Sequence, residues 1–472
     1  MKLSDLVIFN PKRPLKKGES AAFVEMAALP ENGRDINRVD EKIFTGGGSK
    51  FANKDTLFAR ITPCLENGKT SLVSGLSDGE VAFGSTEFIV LAAKEPEYDS
   101  DYIYYLSRLG EFRSFARSRM EGTSGRQRVA WQSLADYEYD FPDKRLRKFA
   151  GDVLKKFDDK ILLNHQINHT LEQMAQALFK SWFVDFEPVK AKITALEAGG
   201  SQEDAMLAAM TAISGKDSDA LVVFEREHPE QYAQLKATAE LFPSAMQESE
   251  GRDIPKGWAV VKTEELTSKI GMGPFGSNIK VSTFVDEGIP IISGQHLKES
   301  ILNDGENNFI TLEHADKLKS SNVFSEDIIF THAGSIGQVS IIPEFSEYER
   351  YVISQRQFFL RADKKLISPY YLLYFFRSRT GQHLLLSNAS QVGVPSIARP
   401  SSHLKNIELV APDFKLVKKF EDHCKTIING VVQRKKQTVL LKNIRDTLLP
   451  KLLSGEITLP EAEQAVSEAE NV

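Results

Sequence analysis

At 472 residues the chain exceeds one ordinary core, so two or more domains are expected. No run approaches the roughly 18 uninterrupted apolar residues of a membrane span, and Met1-Lys2-Leu3-Ser4-Asp5 lacks a signal peptide's apolar segment, so the expectation is a soluble, cytoplasmic protein without a membrane partner. The net charge of −6 argues against nucleic acid until it is resolved along the chain. Residues 191–256 and the tail 456–472 hold more than all of that deficit, and the remainder is modestly positive, compatible with phosphate contacts without establishing them. Cys64 and Cys424 fit neither a disulfide framework nor a zinc spacing.

In chain order, residues 1–145 read as a mixed α/β domain. Strands are expected at 55–58 and 87–91, an aromatic helix at 100–106, and a closing strand with proline within 134–142. Residues 146–187 read as a long helix, 188–256 as an acidic helical insert and linker, broken at Gly199-Gly200-Ser201 and at 214–218. Residues 257–413 repeat the first domain at an offset near 270. Asp327-Ile328-Ile329-Phe330 answers Asp55-Thr56-Leu57-Phe58, Gln357 answers Glu87, and 404–412 answers 134–142. Residues 414–455 form a second long helix, and 456–472 an acidic tail too polar to fold alone.

Across the helices the offset is a strict 270. Ala150, Leu154, Phe157, Ile161, Leu171, Met174, Leu178 and Trp182 fall on Phe420, Cys424, Ile427, Val431, Leu441, Ile444, Leu448 and Leu452, a coiled-coil spacing. Asn164 and Asn168 interrupt one apolar line where Arg434 and Thr438 interrupt the other, which favours mutual pairing over each helix packing on its own domain. Pro188 ends the first helix in this reading, and Pro450 kinks or terminates the second. The expected fold is therefore α+β: two mixed α/β domains in a pseudo-twofold repeat, separated by two long antiparallel coiled-coil helices.

No catalytic motif is evident. There is no Gly-x-x-x-x-Gly-Lys-Ser/Thr loop, Gly46-Gly47-Gly48 reads as a turn, and His165-Gln166-Ile167-Asn168-His169 lacks the glutamate of a zinc protease. Asn10-Pro11 is followed by Lys12-Arg13 and not by the Pro-aromatic pair of amino-methyltransferases, and no Gly-x-Ser-x-Gly elbow occurs.

Several segments carry a family resemblance. Asp159-Lys160-Ile161-Leu162-Leu163-Asn164-His165-Gln166 running into Leu171-Glu172-Gln173-Met174 and on through Trp182-Phe183-Val184-Asp185-Phe186-Glu187-Pro188 resembles the central conserved region of type I restriction-modification specificity subunits. Ile254-Pro255-Lys256-Gly257-Trp258 and Leu448-Leu449-Pro450-Lys451-Leu452-Leu453-Ser454-Gly455-Glu456-Ile457 are similar to that family's domain-opening and distal conserved motifs. Residues 55–69 resemble a recurrent recognition-domain segment. The resemblance implies two target-recognition domains, 1–145 and 257–413, reading a bipartite double-stranded DNA target. It also implies a hub role for two methyltransferase subunits and for motor-nuclease subunits, with no catalysis and no cofactor in this chain. S-adenosylmethionine, ATP and Mg2+ would belong to the partners.

Base reading needs donors and acceptors on loops. Ser124, Arg126, Gln127 and Arg128 in the first domain, and Gln391 and Arg399 at the equivalent place in the second, are the candidates, against a plain solvated loop. Phe275, Gly276, Ser277 and Lys280 resemble the family's early glycine-rich loop; the first domain departs from it with Pro11-Lys12-Arg13-Pro14. Phe157, Ile161, Leu171 and Leu178 would pair with Ile427, Val431, Leu441 and Leu448. The competing readings are an enzyme with unseen motifs, which would bind cofactor alone, and a protein-binding adaptor, which would lack salt-dependent DNA affinity.

Overall fold

The computed structural model describes residues 1–123, 125–390 and 393–457. It divides into two compact units, Met1–His165 with the chain from Lys435 onward, and Gln166–Arg434. Among the described residues, no helix is long and apolar enough to cross a membrane.

In the first unit, strands β1 (Val7–Phe9), β2 (Ser20–Val24), β3 (Asp40–Ile43), β4 (Ser49–Phe51), β5 (Thr56–Ala59), β6 (Thr70–Leu72), β7 (Ala82–Gly84) and β8 (Phe88–Ala93) form sheets of order β1-β8-β5-β6 and β3-β2-β7-β4. The first is antiparallel throughout; in the second, β2 and β7 run parallel. β5 and β8 are buried along their whole length, as continuous apolar runs covered on both faces should be. The aromatic helix Pro96–Arg108 lays Tyr102, Ile103, Tyr105 and Leu106 into this core. A hairpin of β9 (Met120–Glu121) and β10 (Arg128–Val129) follows the helix Gly110–Ser118. The expected closing strand near 138 is only a single bridge, Lys2 to Glu138.

In the second unit the long helix is followed by four shorter ones, Glu187–Glu197, Gln202–Ser214, Ser218–Glu227 and Pro229–Glu240, so the insert is helical as far as Glu240 and only the linker after it is not. Ser201 with Asp204 and then Asp217 cap the second and third of these, and Ala209, Met210, Leu221 and Ala239 form a small core. The buried Lys192 ammonium donates to the Ala239 and Phe242 carbonyls at the end of the fourth helix, 2.7 Å each. Pro188 does not end the long helix. That helix stops at Phe183, the chain turns at Phe186 in the left-handed region, and Pro188 opens the next helix, where a missing N–H costs nothing.

Strands β11 (Met246–Ser249) and β12 (Arg252–Pro255) make a hairpin, and β13 (Ala259–Lys262) pairs with the closing strand β24 (Glu408–Ala411). β14 (Thr267–Met272), β15 (Ile289–Ile292), β16 (Asn308–Ile310), β17 (Asn322–Val323), β18 (Ile328–Thr331), β19 (Val339–Ile341), β20 (Tyr351–Ile353) and β21 (Gln357–Ala362) build sheets of order β14-β21-β18-β19 and β16-β15-β20-β17. The first is antiparallel, and β15 and β20 run parallel in the second, so strand order and sense reproduce those of the first unit. Helices Pro369–Arg377 and Arg379–Leu386, the hairpin β22 (Ala389–Ser390) and β23 (Ser396–Ile397), and helix Pro400–Asn406 lead to β24 (Glu408–Ala411).

The long helices are Lys144–Phe183 and Phe414–Ser454. In the first unit, Asp158 accepts from Arg445, and the Asn164 amide donates to Gln437 (2.9 Å) and Thr438 (3.4 Å), while Ile161 shares a core with Leu441 and Leu448. In the second unit Phe179 and Trp182 pack on Phe420. In the first unit rising numbers on one helix meet falling numbers on the other, and the second unit has the same sense, with Gly430 beside Leu171 and Phe420 beside Phe179 and Trp182. Phe157, Val431 and Leu441 are buried as expected, Leu171, Leu178 and Ile427 half-buried against the core. Met174 is a correction: it is 55 % exposed, while Ala175 and Phe179 are buried. The alternation of four and three steps that runs through Ile161, Asn164, Asn168 and Leu171 reaches Ala175 next, so the inward position is Ala175 and Met174 lies one residue off the seam. Pro450 does not terminate the second helix, which continues through it to Ser454, held by buried Leu452 and Leu453 and by the Tyr102 hydroxyl, which donates to the Leu453 carbonyl at 2.7 Å.

Candidate nucleic-acid interface

In both units the hairpin after the helical pair docks on the same two loops. In the first, β10 bridges Ile61, the Val129 N–H donates to the Arg60 carbonyl at 3.0 Å, and the Arg60 N–H to the Glu87 carbonyl at 3.0 Å. In the second, Ser396 bridges Ala333, the Ile397 N–H donates to the His332 carbonyl at 2.8 Å, and the His332 N–H to the Arg356 carbonyl at 2.9 Å. A hairpin, the loop leaving the central strand and the turn before the longest strand thus lie side by side twice.

Of the sequence candidates, Arg126 is exposed at the hairpin tip. Gln127 is fixed by its backbone, which donates to Thr62 Oγ1 and accepts from the Thr62 N–H, 3.1 Å each. Arg128 is on the surface, but Glu87 grips its guanidinium with Nη2–Oε1 and Nε–Oε2 distances of 2.7 and 2.9 Å. The hydrogen bond that Arg128 donates to the Glu87 carboxylate raises the Arg128 pKa, desolvation opposing it. Ser124 and Gln391 lie outside the described residues. Arg399 is exposed in the left-handed region, immediately before the helix Pro400–Asn406.

The early glycine-rich loop sits against the turn before β21. The Gly273 N–H donates to the Gln357 carbonyl at 2.9 Å, and a Cβ at Gly273 would meet the Ser354 carbonyl oxygen at 2.0 Å, so only glycine fits. Gly276 has φ +49° in the short 3-10 turn Gly276–Asn278 that includes Ser277, Phe275 is 83 % exposed, and Lys280 is exposed with its N–H on Thr283 Oγ1 at 3.3 Å. The loop brings an apolar ring and a cation to the surface together.

The first unit's early loop, different in sequence, makes a basic cleft of about 420 Å³ lined by Asn10, Lys12, Arg13, Ser49, Lys50 and Val90. β1 ends opposite Leu91, whereas β14 runs on to a position opposite Phe358, two registers further, and the loops therefore leave the sheet at different heights. Arg13 is held by Asp55 at 2.6 Å; burial pushes the Asp55 carboxyl up to about 6 against the pull of the Ala52 N–H and of Arg13. Asp327, at the same place before β18, is paired instead with Arg361 at 2.6 Å, its hydrogen bond raising the Arg361 pKa.

Sequence comparison within the chain placed Glu87 opposite Gln357. Strand register corrects this by one residue: Phe88 faces Ala59 as Gln357 faces Thr331, so Glu87 matches Arg356 and Arg128 matches Ser396. Glu87, His332, Gln355 and Arg356 are the residues sequence reading missed, because each sits one or two residues outside a strand whose ends periodicity does not define. Among the described residues, no cluster of His, Cys, Asp or Glu could hold a metal ion.

No family model matches the chain. It is 30 % identical over 424 residues, 88 % of its own length and 89 % of the relative's, to the type I restriction enzyme HindI specificity subunit of Haemophilus influenzae. It is 22 % identical, over 77 % of its length and 70 % of the relative's, to the MjaIX specificity subunit of Methanocaldococcus jannaschii. Among solved structures, the type I restriction-modification S subunit from M. genitalium aligns weakly, at 16 % identity and a TM-score of 0.46, over 96 % of this chain and 95 % of that one. On identity sustained along nearly its whole length, the chain belongs to the type I restriction enzyme specificity subunits.

Proposed function

We propose that the chain reads a bipartite double-stranded DNA target, one short half-site per unit, and supplies that specificity to two methyltransferase subunits and to motor-nuclease subunits. Those partners would bring S-adenosylmethionine, ATP and Mg2+. The observation that carries the reading is near-full-length identity to a specificity subunit. The twice-built cluster of hairpin, loop and turn supports it. In this reading 1–145 and 257–413 are target-recognition domains, and 146–187 and 414–455 form an antiparallel coiled coil in a pseudo-twofold repeat. The chain itself does no chemistry.

The test is binding by the chain in complex with its methyltransferase subunit. Target duplex should outcompete random duplex, and affinity should fall linearly in log–log terms with salt as counterions are released. Affinity that is blind to both would overturn the reading. Arg126→Ala should weaken or relax one half-site only, by about 1–3 kcal/mol if a base contact is lost. Equal loss at both half-sites would instead indicate misfolding.

The helices act as a ruler in this proposal. A paired stretch from Ala150 to Trp182 is about 48 Å long at about 1.5 Å per residue. One heptad added to both helices keeps the seam in register, adds about 10 Å, and should widen the spacer by about three base pairs at about 3.4 Å each. An unchanged spacer with both half-sites still read would show that the helices do not set the distance. On the first unit's stretch of these helices, Leu162, Leu163, Val439 and Leu440 are 43–59 % exposed, a surface suited to a partner subunit and costly to leave in water.

A further inference from the structure

We infer that Arg356 is a specificity-determining residue of the second unit, its guanidinium donating to a base edge, guanine being the base whose paired acceptors fit the fork. The inference rests on the DNA-reading function proposed above. It comes from one difference between two otherwise matching sites. At the position where Glu87 neutralises Arg128 in the first unit, the second unit has Arg356 and, in place of the arginine, Ser396. Arg356 is exposed, and among the described residues no carboxylate or carbonyl holds its guanidinium, which lies over Gly334, whose Cβ would be 3.5 Å from Nη1.

The turn that carries it is fixed on several sides. The Arg356 carbonyl accepts from the His332 N–H at 2.9 Å, and His332 Nε2 donates to the Gln355 carbonyl at 3.1 Å. The Ser354 N–H donates to the Ile292 carbonyl at 2.9 Å, and its hydroxyl to the amide oxygen of Gln357, which is buried at 1 % exposure. Gly273 closes on the Ser354 carbonyl from the other side. A fork on so constrained a backbone loses less freedom on binding than a lysine on an open loop, which suits base reading more than a diffuse phosphate contact. Phe275 on the adjoining loop adds an apolar surface for a thymine methyl or a base step.

The experiment maps methylated adenines in cells expressing the chain with its methyltransferase subunit, for wild type, Arg356→Ala and Arg356→Lys. Both variants are expected to relax one position of the half-site that Arg126→Ala leaves intact, with discrimination there falling about 5- to 150-fold. The other half-site, kept unchanged, reports that the variants fold and assemble. Lysine keeps the charge but not the fork, so it should not restore the position. An unchanged motif in both variants overturns the role of Arg356 while leaving DNA reading intact. Uniform weakening rescued by lysine means a phosphate contact and overturns base reading. No methylated motif with wild type overturns the parent function and this inference with it.

Discussion

Trp182→Ala is expected to destabilise the second unit by about 3–5 kcal/mol, a large share of the roughly 5–15 kcal/mol that holds a domain together. The Trp182 side chain is fully buried, with ring centroids 5.3 Å from Phe242, 5.9 Å from Phe183 and His423, and 6.2 Å from Phe420. It therefore joins the end of the first long helix to the start of the second and to the last turn of the helical insert. Removing it leaves a cavity bounded by rings that cannot collapse without breaking their own edge-to-face contacts. Denaturant unfolding of the full chain, with hydrogen exchange to locate the change, should show lost protection concentrated in 166–434. A change under 1 kcal/mol would mean that this aromatic cluster does not hold the unit.

Arg147→Met should cost the first unit about 3–5 kcal/mol for a different reason. The side chains of Arg147 and Asp99 are 8 % and 1 % exposed, the Nε–Oδ1 distance is 2.6 Å, and Nη1 also donates to the Pro142 carbonyl at 2.8 Å. The pair ties the first turn of the long helix to the aromatic helix of the recognition unit. Without Arg147, Asp99 is left as a buried, uncompensated carboxylate, which is where most of the cost arises. The double variant Asp99→Leu/Arg147→Met should recover most of the loss. If the double variant were as unstable as the single one, packing and not charge would account for the effect.

Much of this architecture was legible in the residues. The segments at 55–58, 87–91 and 327–330 read as strands and are strands, though the alternation of exposed and buried positions expected at 87–91 is replaced by burial along the whole of β8; Gly199-Gly200 and Gly215 broke the insert where helices end. What escaped was set by tertiary register. Met174 is the larger apolar side chain, but the four-three alternation through Asn168 and Leu171 selects Ala175, which is the one buried. Pro450 kinks or terminates a helix because it forfeits a hydrogen bond, and termination is what does not occur, the final turn being held by buried Leu452 and Leu453. In the candidate interface, loop position and side-chain donor chemistry single out Arg126, Gln127 and Arg128. They do not reveal that Glu87, distant in sequence, engages one of them, nor that the corresponding turn in the second unit exposes an arginine.

The central claim, that this chain confers a two-part DNA specificity on a methylating partner, is tested most directly by single-molecule sequencing of methylated adenines in cells carrying the chain with a type I methyltransferase subunit, the methyltransferase alone, and the chain alone. The combination should yield one motif of two short half-sites separated by a fixed number of unspecified bases, and neither protein alone should yield it. The same motif from the methyltransferase alone, methylation by the chain without partner, or a single uninterrupted site would contradict the account.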